Sequence, residues 1–222
     1  SDLSLEDRSA ALGRLADAVE SQRAVLGELE SLDCGKLRPF GQGDVDLFVG
    51  TLRYFIHIAP TIPRDRPLQA DGFEARQVRL PWGPCGFIFP WNFPLALAGW
   101  GIAPALVAGN TVVIKPAQDT PLSTTYLAQL AQKVGIPDGV INVVNGSGSV
   151  IGDALTSHPG IKRISFTGSP EIGRRVGEFC GRNLVPVKLE LGGKGAAVVF
   201  DDVDLDQTVA GLVGAITFHS GQ

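Results

Sequence analysis

A few residues in this chain have types and settings that could do chemistry. In Val185-Pro-Val-Lys-Leu-Glu-Leu-Gly-Gly-Lys194, an alternating apolar run ends in Glu190 and then in two glycines. A carboxylate at the end of a buried strand is costly without a partner or a task, and partial desolvation can raise its pKa towards the range of a general base. The plainer reading is an ion pair with Lys188 or Lys194. In Phe89-Pro-Trp-Asn-Phe-Pro94, bulky residues and two prolines hold the amide of Asn92, which could offer an N–H to a developing oxyanion; a turn asparagine satisfied by its own backbone is the alternative. Lys115 closes the apolar run Thr111–Lys115, placed for a ribose or phosphate or else a solvated loop charge. Gly168 and Ser169 precede Pro170 at a helix start, where free N–H groups and the helix dipole favour phosphate. The glycines of Asn145-Gly-Ser-Gly-Ser-Val-Ile-Gly152 lack G-x-G-x-x-G spacing and fit an ordinary βα turn nearly as well.

The elements that must position these residues follow from periodicity. Ser4 with Asp7 is a capping-box start for a helix with Leu12, Leu15, Ala16 and Val19 on one side. A second helical stretch carries Leu26 and Leu29 and stops near Gly35, and a third runs from Asp44 to about Ile58. Between Pro63 and Pro81 the chain turns polar, with Phe73–Leu80 suited to an exposed ribbon. From Gly83 onward, strands at Cys85–Phe89, Thr111–Lys115, Val140–Val144, Arg163–Thr167, Val185–Glu190 and Ala196–Phe200 alternate with helices at about 94–107, 123–134, after Gly148, from Pro170, and from Asp204 to Phe218. Repeated βα units of this length predict an α/β fold, a Rossmann-like doubly wound parallel sheet covered on both faces.

Composition narrows the classes. The 222 residues are 44% apolar and 19% charged, which fits a soluble protein of one or two domains. A net charge of −4 gives no electrostatic case for nucleic acid or an anionic membrane. No unbroken apolar run reaches the roughly 18 residues of a membrane span. Three cysteines without metal-ligand spacing point to a reduced, cytoplasmic setting and no metal. The chain starts at Ser1 and has no methionine, as expected of a processed chain or a piece of something longer.

The blocks Pro90-Trp-Asn-Phe-Pro94, Ile114-Lys-Pro116, Phe166-Thr-Gly-Ser169 and Leu189-Glu-Leu-Gly-Gly-Lys194, in this order and spacing, resemble the NAD(P)-dependent aldehyde dehydrogenase superfamily. The resemblance covers nearly the whole chain and is clearest from Pro81 to Gln222. It implies that a cysteine thiolate attacks an aldehyde, that Asn92 holds part of the oxyanion, and that Glu190 activates the water that releases a carboxylic acid from a thioester. It further implies an NAD or NADP site containing Phe89, Pro90, Trp91, Lys115, Gln118, Gly148, Gly152, Gly168, Ser169, Ile172, Leu191 and Gly192. The division it implies is N-terminal helices over 1–62, a β-arm over 63–82 that joins subunits into a homodimer or homotetramer, a cofactor-binding core over 83–193, and the start of a catalytic domain over 194–222. Strongly NAD-selective members of the family often carry Glu at the position of Gln118; Gln removes the repulsion of a 2′-phosphate, so dual use of NAD and NADP with NAD preferred is expected.

The family's Gly-Gln-x-Cys segment supplies the nucleophile, and here Gly221-Gln222 closes the sequence. Cys34, Cys85 and Cys180 match no nucleophile motif and read as structural thiols, so the 222 residues alone are expected to be inactive. The competing expectation is a catalytically inactive, stand-alone nucleotide-binding or assembly module. An acylating enzyme that passes the thioester to coenzyme A is disfavoured by the presence of Glu190.

Overall fold

In the computed structural model, residues 3–222 are described. The chain opens with α1 (Leu5–Ser21), α2 (Arg23–Cys34) and α3 (Arg38–Ile58), then forms a ribbon of β1 (Asp65–Leu68) and β2 (Ala75–Val78). The alternating part follows: β3 (Pro84–Ile88), α4 (Pro94–Val107), β4 (Thr111–Lys115), α5 (Leu122–Lys133), β5 (Ile141–Val143), α6 (Asp153–Ser157), β6 (Arg163–Gly168), α7 (Pro170–Arg182), β7 (Val187–Leu191) and α8 (Leu205–Thr217).

Local chemistry accounts for the element ends. Ser4 caps α1, its hydroxyl accepting from the Asp7 N–H at 3.0 Å. Gly35 ends α2 in the left-handed region at φ 71°, where a Cβ would be strained. Helix α3 begins at Arg38, six residues before the expected Asp44. Pro39 suits its first turn, while Gly41 and Gly43, which weaken the helical pattern, are simply carried within it. At Gly41 the two helices nearly touch: a methyl there would overlap the Gly27 carbonyl oxygen of α2.

The five-stranded sheet has the order β5-β4-β3-β6-β7 and every pairing is parallel. This is the predicted doubly wound α/β fold. The chain moves outward from β3 through β4 to β5, then returns to the other side of β3 with β6, so the switch point lies between β3 and β6. Alternation along β3 serves both faces. Cys85, Phe87 and Phe89 join the larger core with α1 to α5, whereas Ile88 joins the smaller core with Leu155, Ile164, Phe166 and Val176. The polar ribbon is antiparallel and largely exposed, with Asp65 opposite Val78 and Leu68 opposite Ala75.

Two expectations are corrected. The segment 196–200 is not a strand: no partner strand lies beside it among the described residues, and Val198 and Phe200 are exposed. After Gly148 the chain makes a single π-helical turn over Gly148–Gly152 before α6, not a regular helix start. No helix of the described residues is long and apolar enough to cross a membrane.

The Gly27–Gly41 crossing predicts a contrast between neighbours on one helix. Gly41→Ala is expected to lose about 1–3 kcal/mol through overpacking. Gly43→Ala meets nothing within 4 Å and is expected to gain about 0.5–1 kcal/mol from helix propensity. Urea unfolding of the two variants checks both signs.

Candidate active site

Beyond the carboxyl ends of the sheet lies a cavity of about 830 Å³. Its walls come from the ends of β3, β4, β6 and β7, the turn after β5 and the start of α7. Of the residues singled out from sequence, Phe89, Pro90, Trp91, Asn92, Lys115, Gly148, Gly152, Gly168, Ser169, Ile172, Glu190, Leu191 and Gly192 all line it. Gln118 does not; its side chain is exposed, beyond the lining residues.

Each group has a definite setting. The Lys115 side chain is buried, its Nζ donates to the Pro116 carbonyl at 2.8 Å, and burial pushes its pKa down. It is therefore not a solvated loop charge: an ammonium here keeps donors in hand and has little water to use them on. Ser169 caps α7 by accepting from the Ile172 N–H at 3.3 Å, which leaves its hydroxyl hydrogen free at a helix N-terminus. Asp153 and Arg175 form an ion pair between α6 and α7 on the cavity wall. Glu190 is exposed on β7 and has no ion pair among the described residues, so neither the desolvation expected at a strand end nor a partner in Lys188 or Lys194 is present.

Asn92 is held from outside its own turn. Its Nδ2 donates to Gln222 Oε1 at 2.8 Å, and its backbone carbonyl lies 2.8 Å from His219 Nε2. The His219 ring meets both Trp91 and Phe93 edge-on, and Phe218 stacks on Phe93 at 5.8 Å. The reading of a turn asparagine satisfied by its own backbone is thus not what is found. An amide nitrogen has two hydrogens, and Gln222 takes one.

Beneath this turn lies a buried polar cluster that sequence reasoning passed over. Glu30 is 0% exposed, and Lys36 and Asp44 are 5% exposed each. Lys36 pairs with Asp44 and stands 3.6 Å from Glu30, which also accepts from the Ser123 hydroxyl and the Leu95 N–H. Burial, more than any neighbour, raises the Glu30 carboxyl from the usual 4.5 to about 7. A signal was available: Glu30 follows buried Leu26 by four residues and so shares its helix face. The cysteines are unsuited to attack. Cys34 donates to the Trp91 carbonyl at 3.1 Å and burial pushes its thiol to about 12; burial also raises Cys85 and Cys180, and none of the three lines the cavity.

The fold and cavity define a doubly wound α/β protein with a cavity at the strand carboxyl ends. The chain belongs to the aldehyde dehydrogenase family, whose model matches residues 1–222. It is 46% identical over 221 residues to retinal dehydrogenase 2 of Gallus gallus, covering 97% of this chain and 42% of that protein. It is 44% identical over 222 residues to phenylacetaldehyde dehydrogenase of Pseudomonas fluorescens, covering 97% and 44%. Among solved structures, betaine aldehyde dehydrogenase of Staphylococcus aureus with NAD+ superposes with a TM-score of 0.96 at 35% identity, over 100% of this chain and 44% of that one. The NAD+ complex of a Bacillus cereus aldehyde dehydrogenase does so at 0.96 and 34% identity, over 100% and 45%. The chain thus spans less than half the length of these relatives.

The raised Glu30 carboxyl predicts a pH dependence of stability. The folded chain keeps this proton to about pH 7, whereas the unfolded chain releases it near 4.5. Its contribution is therefore full below 4.5 and lost as pH rises through about 7. Urea midpoints measured across that window are expected to fall more steeply in the parent protein than in Glu30→Gln. Equal slopes would place the titration elsewhere.

Proposed function

We propose that this chain supplies the cofactor site, an oxyanion donor and a general base for NAD(P)+-dependent oxidation of an aldehyde to a carboxylic acid. One observation carries the reading: Asn92, Lys115, Ser169 and Glu190, from four separate strand ends, line a single cavity. The cavity volume lies in the usual range for small-molecule and cofactor sites, and the chemistry of its walls fits a dinucleotide. The buried Lys115 ammonium suits ribose hydroxyls, and the N-terminus of α7 with the Ser169 hydroxyl suits a pyrophosphate. Gly148, Gly152 and Gly168 leave room for a backbone approach, Ile172 and Leu191 offer apolar walls, and Trp91 and Gly192 are proposed to belong to the same cofactor site. When bound, the nicotinamide accepts a hydride.

The residues of this chain do the rest. The nucleophile is a cysteine thiolate from outside Cys34, Cys85 and Cys180, so the 222 residues alone are proposed not to oxidise aldehydes. The free N–H of the Asn92 amide donates to the oxygen that becomes charged when sulfur attacks carbon. Glu190 is open to solvent and takes the proton of the water that later cleaves the thioester. The exposed ribbon β1–β2 is proposed to join subunits into a dimer or tetramer, and a cytoplasmic setting is proposed from the free thiols.

Two experiments on the full-length protein test these roles. Asn92→Ala is expected to slow the pre-steady-state burst of NADH roughly 10²-fold. Glu190→Gln is expected to keep the burst and slow the turnover that follows; equal loss of burst in both variants argues against the assignment. For cofactor choice, the exposed Gln118 is proposed to reach the adenosine ribose at the rim of the cavity. Gln118→Glu is then expected to shift kcat/KM towards NAD, mainly through weaker use of NADP. An unchanged ratio would show that residue 118 stays in solvent.

A further inference from the structure

Helix α4 starts under an unusual handicap. Its N-cap, Phe93, has no side chain able to accept a hydrogen bond, and Pro94 at the first helical position has no N–H. The next orphan donor, the Leu95 N–H, is bonded at 3.2 Å not by its own turn but by Glu30 of α2, 65 residues earlier. A carboxylate aimed at a helix N-terminus is the favourable charge for that position. Ser123 of α5 holds the same carboxylate oxygen from the other side. One residue upstream of Pro94, the Lys36 ammonium sits 4.4 Å from the centre of the Phe93 ring, oriented there by its pairing with Asp44. A desolvated cation over an aromatic face is worth more than one on the surface. The backbone on one side of Asn92 is therefore gripped at two successive points: the ring of Phe93 and the amide of Leu95.

A buried ion cluster is weak evidence for stability as such, because desolvation offsets much of the attraction. That makes its location the informative fact. Glu30 lies on α2, Asp44 on α3 and Lys36 in the loop between them, a region that carries no other candidate chemistry, and both of their contacts outside it and Ser123 fall on Phe93 and Leu95, beside Asn92.

We propose that Glu30, Lys36 and Asp44 are positioning residues: a remote cap and clamp that fix the turn 91–95 so that the Asn92 amide meets the developing oxyanion. The inference rests on the reading of Asn92 as oxyanion donor. Lys36 and Asp44 touch neither substrate nor cofactor; they act through Phe93, and Glu30 acts through the Leu95 N–H.

The test uses the full-length protein and the rate of the NADH burst per active site, with sites titrated by burst amplitude. Misplacing the donor by an ångström or less predicts losses of roughly 10- to 100-fold. Glu30→Leu, which removes the cap, and the paired change Lys36→Met with Asp44→Asn, which removes the clamp with no net change in charge, are each expected to show such a loss. The NAD dissociation constant, measured by NADH fluorescence competition, is expected to change much less than the burst rate, because Glu30, Lys36 and Asp44 do not themselves line the cavity and reach it only through the turn they hold. Glu30→Gln, which keeps an oxygen for the Leu95 N–H, is expected to restore most of the burst rate. In an Asn92→Ala background the same changes are expected to have little further effect, because they act through the residue already removed.

An unchanged burst rate in both disrupting variants overturns the proposal. So does a full loss in the Asn92→Ala background, or a parallel weakening of NAD binding. If Glu30→Leu does not fold, the charge-neutral pair decides the matter by the same readouts. Failure of the underlying reading is separately visible: Asn92→Ala alone would then leave the burst rate intact.

Discussion

The register of β3 against its two neighbours is the constraint from which the site follows. In one direction Ile88 pairs with Lys115, and in the other with Phe166. The next pairing outward sets Thr167 beside Glu190. Parallel strands in this register end level, so residues far apart in sequence emerge side by side on the same edge of the sheet. The reversal of strand order between β3 and β6 then opens space between the loops that leave them. A slip of one residue on β4 would turn Lys115 to the opposite face and take the buried ammonium out of the cavity.

Register alone places strand ends; it does not fix the loops beyond them. That task falls to groups whose own contacts are unusually polar for a core. The Glu30 carboxylate, the Lys36 ammonium and the Asp44 carboxylate are all buried, yet each has a partner. Their meeting depends on the close crossing of α2 and α3 at Gly27 and Gly41, since any side chain there would push the helices apart. Two glycines in helix interiors, each unfavourable by propensity, are thus what allow the charges to come within reach of the turn that carries Asn92. Helix propensity, helix packing and site geometry are linked through one crossing.

Much of this was legible in the sequence, and the failures have physical causes. The strand-end residues were visible because a polar or charged residue closing an apolar run is conspicuous, as at Lys115 and Glu190. The doubly wound fold followed from βα units of regular length. The start of α3 was missed because Gly41 and Gly43 weaken a helical pattern, although their role is at the interface with α2. The segment 196–200 has strand composition, but a strand also needs a neighbour to take its hydrogen bonds, and composition does not report neighbours. Glu30 was passed over because a lone glutamate in a helix is ordinarily solvated; only its place four residues after buried Leu26 marks it. The contacts of Gln222 and His219 with Asn92 join residues more than 120 positions apart, which no local pattern encodes.

The two groups assigned to chemistry are held very differently, and the difference matches what each would do. Asn92 has its side chain engaged by Gln222, its carbonyl by His219 and its flanking residues by Lys36 and Glu30. An oxyanion donor gains its effect from being in place before charge develops, because any reorganisation during the reaction subtracts from it. Glu190 sits instead on β7, the edge strand beyond β6, open to solvent and unpaired among the described residues. A base that acts on water needs water to reach it. Rigidity at the β3 end of the cavity and openness at the β7 end are therefore complementary. Under the proposed roles, the buried charges lie where preorganisation would count, and the open side of β7 lies where a proton would be exchanged with solvent.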